Sequence, residues 1–216
     1  MFRHVIFDLD GTLMDTILDI SHAINIAMEK TGFPYRYDRD STRYLIGDGA
    51  DALIHRSLQK DDDLRNLSLL KPIYMKEYHD HQLDSTKPFT GVKETLLELR
   101  EAGVRLSVVT NKPDSLTQVL LPLHFGEDLF DFIRGIREGD PVKPDPISVN
   151  MALDQVGVPK EECLYVGDSH VDVLTGHNAF LPVAFCLWGY EVDPESTTEK
   201  AEFVLKVPAD LKKVVL

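Results

Sequence analysis

The chain has little cysteine, no long apolar run and a deficit of basic charge. Only two of its 216 residues, Cys163 and Cys186, are cysteines. Both lie in apolar stretches and neither belongs to a C-x-x-C pair, which argues against a disulfide framework or a zinc cluster and for buried structural thiols. No stretch reaches the apolar length of a membrane span. The first residues, MFRHVIFDLDGTL, run into a charged motif without the apolar core of a signal peptide, so a reducing cytosol is the expected location. Basic residues number 23 against 36 acidic, a formal net charge of -13. That balance argues against nucleic acid, whose binding needs a basic face to displace counterions. It leaves room for a small phosphorylated ligand, because a bound cation, one Lys and a few backbone N–H groups reverse the field inside a pocket. No G-x-G-x-x-G follows the first apolar run and no P-loop pattern occurs, which weakens dinucleotide binding. The eight histidines show no metal-ligand spacing; His79 and His81, two apart on a predicted helix, do not share a face.

What is present is a chain able to build a core. Hydrophobic residues make up 43% and charged residues 27%, enough for one domain plus a smaller insert. His4-Val5-Ile6-Phe7 reads as a buried strand that stops at Asp8, with Gly11 just beyond. Apolar spacing from Ile17 to Lys30 follows a helix closed by Gly32 and Pro34. Ala50 to His81 is helical in pattern, with breaks expected near Lys60-Asp61-Asp62-Asp63 and again near Pro72, and holds no convincing strand. The acidic run 61–63 reads as a solvated turn.

After Pro88 the rhythm becomes strand and helix in alternation. Helices are predicted over 91–102, 114–121, 147–156 and 171–179, with a last one beginning near Ala209. Strands are predicted over 104–109, 132–136, 163–166 and 182–186, with a short one at 202–205. This alternation implies βαβ units, hence a parallel sheet covered on both faces. The expected architecture is an α/β, Rossmann-like core formed by 1–14 and 86–216, with a helical unit, 15–85, inserted after the first strand.

Ligands of open parallel sheets bind beyond the carboxyl ends of the strands. Four polar clusters fall on that predicted edge: Asp8-Leu9-Asp10-Gly11-Thr12, Thr110-Asn111-Lys112, Lys143 in Val142-Lys143-Pro144, and Gly167-Asp168-Ser169 with Asp172 beyond. Asp8, Asp10 and Asp168 together crowd negative charge, which suits a hard cation such as Mg²⁺. Lys143, Thr110 and Asn111 are the residue types that neutralise phosphoryl oxygens. A carboxylate beside a metal can attack phosphorus, and a second carboxyl two residues along can protonate the leaving oxygen and later deprotonate water. Gly11 lets the backbone turn sharply beneath a phosphate.

These motifs resemble the haloacid dehalogenase superfamily, specifically its phosphatases. Asp8-x-Asp10-Gly11-Thr12 is similar to the first motif, Thr110 to the second, Lys143 to the third and Gly167-Asp168-Ser169-x-x-Asp172 to the fourth. The resemblance implies Asp8 as nucleophile and Asp10 as general acid/base. It also implies Mg²⁺ held by Asp8, the Asp10 carbonyl and Asp168, with Asp172 supporting. An acidic residue at Asp10 favours phosphate chemistry over dehalogenation. Asp15-Thr16, Ile46-Gly47-Asp48-Gly49-Ala50 and Gly91-Val92-Lys93-Glu94-Thr95-Leu96 are similar to phosphoglycolate phosphatases, whose helical cap the insert matches. The chain departs from many relatives at Ala179-Phe180, where they have Ala-Gly, a change expected to alter packing after the fourth motif.

Each residue also has a plainer reading. Thr110 alone is a common strand-end cap, and Lys143 alone a surface charge; Asp172 could simply start a helix. Gly47, Asp48 and Gly49 are either a helix-start turn or a substrate loop, and Arg43 is either a surface residue or the partner of a substrate carboxylate. The expectation is a phosphoric monoester hydrolase acting on a small phosphorylated metabolite, with 2-phosphoglycolate as the first candidate. A phosphosugar mutase or pyrophosphatase of the same superfamily, or a non-catalytic phosphate-binding or signalling module, is the alternative. No nucleic-acid or membrane partner is expected, and the sequence leaves monomer and homodimer open.

Overall fold

The computed structural model describes residues 1–191, 193–198 and 200–216. Six strands form one parallel sheet. They are β1 (His4–Phe7), β4 (Arg105–Pro113), β5 (Phe132–Ile136), β6 (Cys163–Gly167), β7 (Val183–Cys186) and β8 (Phe203–Leu205), in the order β5-β4-β1-β6-β7-β8. Successive side chains of a strand point to opposite faces, and β1 shows the consequence. Val5 and Phe7 enter one apolar cluster with Leu106, Val108, Leu164 and Val166, while Ile6 enters another with Val109, Cys163, Tyr165, Val183 and Phe185. Both faces are thus buried, which is why these strands read as continuous apolar runs. Helices α5 (Val92–Glu101), α6 (Asp114–Phe125), α7 (Ile147–Val156), α8 (His170–Asn178) and α10 (Asp210–Val215) flank the sheet. A short α9 (Pro194–Thr198) has no counterpart in the sequence expectations.

The chain leaves the sheet after β1 and returns at β4. Between them lie α1 (Ile17–Thr31), α2 (Arg39–Thr42), α3 (Gly49–Leu58) and α4 (Leu64–His81). Of these, α1, α3 and α4 share a separate apolar cluster built on Ile24, Met28, Ile54, Leu58, Leu70 and Tyr74, which Leu116 of α6 also joins.

Two expectations for this stretch need correction. The helix does not break at Pro72: α4 runs through it. Pro72 is exposed, so the Ser68 carbonyl it leaves without an N–H partner lies on the solvent side. Buried Leu70, Tyr74 and Tyr78 on the other side hold the helix. As expected, no strand falls within 50–81, but the two chain connections at the ends of the insert form one pair. A two-residue β2 (Met14–Asp15) pairs antiparallel with β3 (Lys87–Pro88), clasping the two chain connections; strands that short carry no legible alternation. Asp61, Asp62 and Asp63 are more than a solvated turn. Asp63 accepts the Asn66 N–H at 2.8 Å and caps α4, Asp61 accepts the Tyr35 hydroxyl at 2.5 Å, and Asp62 lies 2.8 Å from His55.

Phe180 is 84% exposed and takes φ +58 at the end of α8. The departure at Ala179-Phe180 therefore concerns backbone conformation rather than packing. Cys163 and Cys186 are both buried free thiols, and burial pushes the Cys163 thiol up to about 11. Among the described residues, no helix is long and apolar enough to cross a membrane.

Candidate active site

The sheet places its chemistry at one edge. Strand β1 is central, the chain proceeding outward to β4 and β5 on one side and to β6, β7 and β8 on the other, so the carboxyl end of β1 is a topological switch point. Asp8 stands there, its N–H bound to the Val166 carbonyl of β6 at 2.9 Å. On the other side, pairing of β4 with β5 slips between Val109 and Pro113. Such an irregularity re-aims the side chains within it, and Thr110, Asn111 and Lys112 are those residues.

Lys143 reaches in from the loop before α7. Its ammonium lies 2.7 Å from Asp8 Oδ1 and 2.7 Å from Asp172 Oδ1, and it is 3% exposed, far from a surface charge. Asn111 holds that loop: its Oδ1 accepts the Lys143 N–H at 2.7 Å, and its Nδ2 donates to the Lys143 carbonyl at 3.3 Å and the Gly47 carbonyl at 3.0 Å. Thr110 is buried, and its hydroxyl accepts the Lys112 N–H at 3.2 Å, a turn-stabilising bond.

Asp168 is fixed by Thr12, whose hydroxyl donates to Oδ1 at 2.8 Å, and by the Tyr190 N–H, which donates to Oδ2 at 2.7 Å. Asp172 does two things at once. It completes a capping box with Ser169 at the start of α8, and it accepts Lys143 and the Tyr165 hydroxyl on its other oxygen. Asp8, Asp168 and Asp172 each offer a carboxylate oxygen within 4.8 Å of the others.

Four carboxylates, those of Asp8, Asp10, Asp168 and Asp172, thus face two ammonium groups, those of Lys143 and Lys112. Burial, then the neighbouring Asp172 and Asp10, push Asp8 up to about 7 against the pull of Lys143. Burial, with Asp172 and Asp8 beside it, raises Asp168 well above the carboxylate range. Burial would lower Lys143, but Asp172 and Asp8 outweigh it and hold the ammonium protonated. The site has an excess of buried oxygen donors and a shortage of positive charge. A hard divalent cation fits both.

Two cavities meet at Asp8 and Asp10. One, of about 50 Å³, lies between the sheet edge and the inserted helices, with Tyr74, Tyr78, Gly47, Gly49, Thr110 and Lys112 in its wall. The other, of about 230 Å³, opens past Asp168, Ser169, Arg43 and Glu191.

The chain matches the family model of haloacid dehalogenase-like hydrolases over residues 5–186. The chain belongs to that family. Among curated relatives of these haloacid dehalogenase-like hydrolases, the phosphoglycolate phosphatase of Aquifex aeolicus is 32% identical, the match covering 99% of this chain and 96% of that protein. The phosphoglycolate phosphatase of Vibrio vulnificus is 34% identical, with 98% and 95% covered. A crystal structure from Lactobacillus delbrueckii subsp. bulgaricus superposes with a TM-score of 0.94 at 28% identity, covering 100% of this chain and 98% of that one. The haloacid dehalogenase-like assignment makes the chain a hydrolase whose full-length relatives include phosphatases.

Arg43 and Asp48 line the wider cavity with their polar groups already engaged. Arg43 donates to the Tyr190 and Glu191 carbonyls at 3.0 and 2.6 Å, and Asp48 pairs with Arg56. Gly11 does more than turn the chain. At φ +94, a Cβ there would overlap the Asp168 carboxylate. The same holds for Gly189, which the sequence reading did not single out and which follows an unremarkable strand end. Lys112 and Tyr78 were also passed over as candidates. Lys112 Nζ lies 3.1 Å from Asp10 Oδ1 and touches the Tyr78 hydroxyl, over whose ring it also sits. Lys112 follows Thr110 and Asn111, so its place at the edge was readable; Tyr78 is remote in sequence and carried no signal.

Proposed function

We propose that this hydrolase is a phosphomonoester phosphatase working through a phosphate ester on Asp8, with 2-phosphoglycolate as its substrate. The observation that carries this reading is the pairing of two carboxylates with two cations in one wall. Asp8 is held by Lys143 and Asp10 by Lys112, and both acids line the two cavities. Asp8 attacks phosphorus, and Asp10 delivers a proton to the departing alkoxide oxygen. In the second half Asp10 takes a proton from water, which attacks the Asp8 phosphate and releases inorganic phosphate. Lys143 and Thr110 steady the phosphoryl oxygens, and Asn111 keeps Lys143 in place. Mg²⁺, held by Asp8, the Asp10 carbonyl and Asp168 with Asp172 behind, would offset the charge that gathers on the phosphoryl group.

The cavities support a small substrate. Asp168 lines only the wider one, which we assign to the metal side; the leaving group then occupies the lobe of about 50 Å³. The small size of that lobe is in keeping with a short leaving group such as a two-carbon acid. The helical unit 15–85 acts as a cap that excludes water during the reaction. Its ties to the core include the Asn111–Gly47, Lys112–Tyr78 and Arg43–Tyr190 bonds.

The test is phosphate release from phosphoglycolate, hexose phosphates, nucleotides and pyrophosphate, with and without Mg²⁺, for wild type and Asp8→Asn. Metal-dependent release, highest on phosphoglycolate and absent from the variant, is the expected result. Release that survives in Asp8→Asn would overturn the covalent route, and preference for a hexose phosphate would overturn the substrate.

A further inference from the structure

We propose that His22, His81 and Asp84 form a binding site for a Zn²⁺-class ion on the surface of the helical unit, separate from the carboxylates at the sheet edge. The sequence hides it, because His22 lies on α1 and His81 at the last turn of α4. Folding brings them together. Their rings meet edge to face with centroids 5.2 Å apart. Asp84, in the turn that closes α4 with its N–H on the His81 carbonyl at 3.1 Å, places Oδ2 2.8 Å from His81 Nδ1. One ligand atom from each residue lies within 4.8 Å of the other two.

The donor set selects the ion. Two imidazoles and one carboxylate suit Zn²⁺ and its neighbours in the transition series, whereas Mg²⁺ prefers oxygen alone. Zn–N bonds of about 2.0–2.1 Å put tetrahedral ligands roughly 3.3 Å apart. Reaching that spacing requires a rotation of His22, which is exposed and free to make it. Three protein ligands leave a fourth position for water.

The site's position gives it a consequence. His22 stands one turn beyond the first connection between sheet and helical unit, and His81 and Asp84 stand just before the second. Asp19 already joins these two connections, its carboxylate accepting the N–H groups of Ser85 and Thr86 at 2.8–3.0 Å. An ion bridging α1 to the 81–84 turn adds a second clasp at the same hinge and restrains movement of the helical unit. This holds whichever substrate the enzyme uses.

The experiment is titration of Zn²⁺ into the full chain in millimolar Mg²⁺, which occupies the carboxylate site, followed by calorimetry and thermal melting. Co²⁺ replaces Zn²⁺ in a parallel absorption titration that reports imidazole ligation. Wild type is expected to bind one equivalent, with a rise in Tm. His22→Ala and His81→Ala, both at solvent-accessible positions, are expected to bind at least about 10-fold more weakly and to lose the Tm rise. Isotherms unchanged in both variants, or wild-type binding no tighter than millimolar, would overturn the proposal.

Discussion

The ammonium of Lys112 lies 3.1 Å from Asp10 Oδ1, and the same ammonium touches the hydroxyl of Tyr78 on α4. Lys112 is buried, so the pair is not screened by water as a surface ion pair would be. The lysine holds the proposed general acid/base and simultaneously binds the helical unit. Removing its charge as Lys112→Met leaves Asp10 without its cation and loosens that unit. We expect kcat to fall about 100-fold, within the range typical of a lost acid–base or electrostatic contribution. Tyr78→Phe keeps the Lys112–Asp10 pair and is expected to change kcat by less than about 10-fold. Steady-state kinetics on both variants check this; equal losses would mean that the Lys112–Tyr78 contact, not the Lys112–Asp10 pair, is what matters.

Mg²⁺ is expected to stabilise the fold as well as support turnover. A ligand at 100 times its Kd adds about 2.7 kcal/mol, which is about 5–10 °C in Tm for a chain of this size. The gain should grow between pH 5.5 and 8. Asp8, raised to about 7 by burial, is protonated at the lower pH, and a proton there competes with the metal. In metal-free protein the same group works in the opposite direction. Its folded pKa exceeds the unfolded carboxylate value, so its contribution is complete in acid and is lost as pH rises through about 7. Melting curves with and without Mg²⁺ across this range test both statements, and Asp168→Asn should abolish most of the metal-induced shift.

Much of this arrangement was legible because local and global signals agree. Buried parallel strands announce themselves as apolar runs, and β5 and α7 lie at the predicted bounds. Asp8, Lys143 and Asp168 converge because parallel topology forces every strand's carboxyl end to one edge. What stayed hidden depends on long-range geometry. Gly189 matters only because the Asp168 carboxylate lies against it, and Tyr78 only because α4 folds back over Lys112. The contacts of Arg43 were hidden for the same reason. Its partners are backbone carbonyls 147 and 148 residues away, and carbonyls leave no mark in a sequence.

His4 predicts an acid limit to stability. It is fully buried at the start of β1, its Nε2 2.8 Å from the Ser107 hydroxyl. Burial chiefly, with Arg105 assisting and Asp131 opposing, lowers it from 6.5 to about 4. The unfolded chain therefore takes up a proton that the folded one refuses. Stability is complete above pH 6.5 and is lost as pH falls toward 4, by about 1 kcal/mol between pH 7.5 and 5.5. Urea unfolding at these two pH values should show the loss in wild type. His4→Gln, which retains a hydrogen-bonding group toward Ser107, should show that much less of it; identical pH slopes would rule the histidine out.

Phe180 holds a conformation that suits glycine. At φ +58 it is left-handed, ending α8 with its N–H on the His177 carbonyl at 2.9 Å and the Leu181 N–H on the Gly176 carbonyl at 2.9 Å. An L-residue in that region costs about 1–2 kcal/mol, while glycine's greater freedom in the unfolded chain returns roughly 0.5–1 kcal/mol of that advantage. The side chain offers little in compensation: it is 84% exposed, with the Lys160 ammonium 5.5 Å from its ring. Phe180→Gly is accordingly expected to stabilise the protein by about 0.5–1 kcal/mol, raising Tm by about 1–4 °C. Activity should not change, because residue 180 lies outside both cavities at the sheet edge. Phe180→Ala separates the two terms, since it removes the ring but keeps the Cβ strain. If Phe180→Ala and Phe180→Gly lower Tm alike, the ring's contact with Lys160 outweighs the backbone strain.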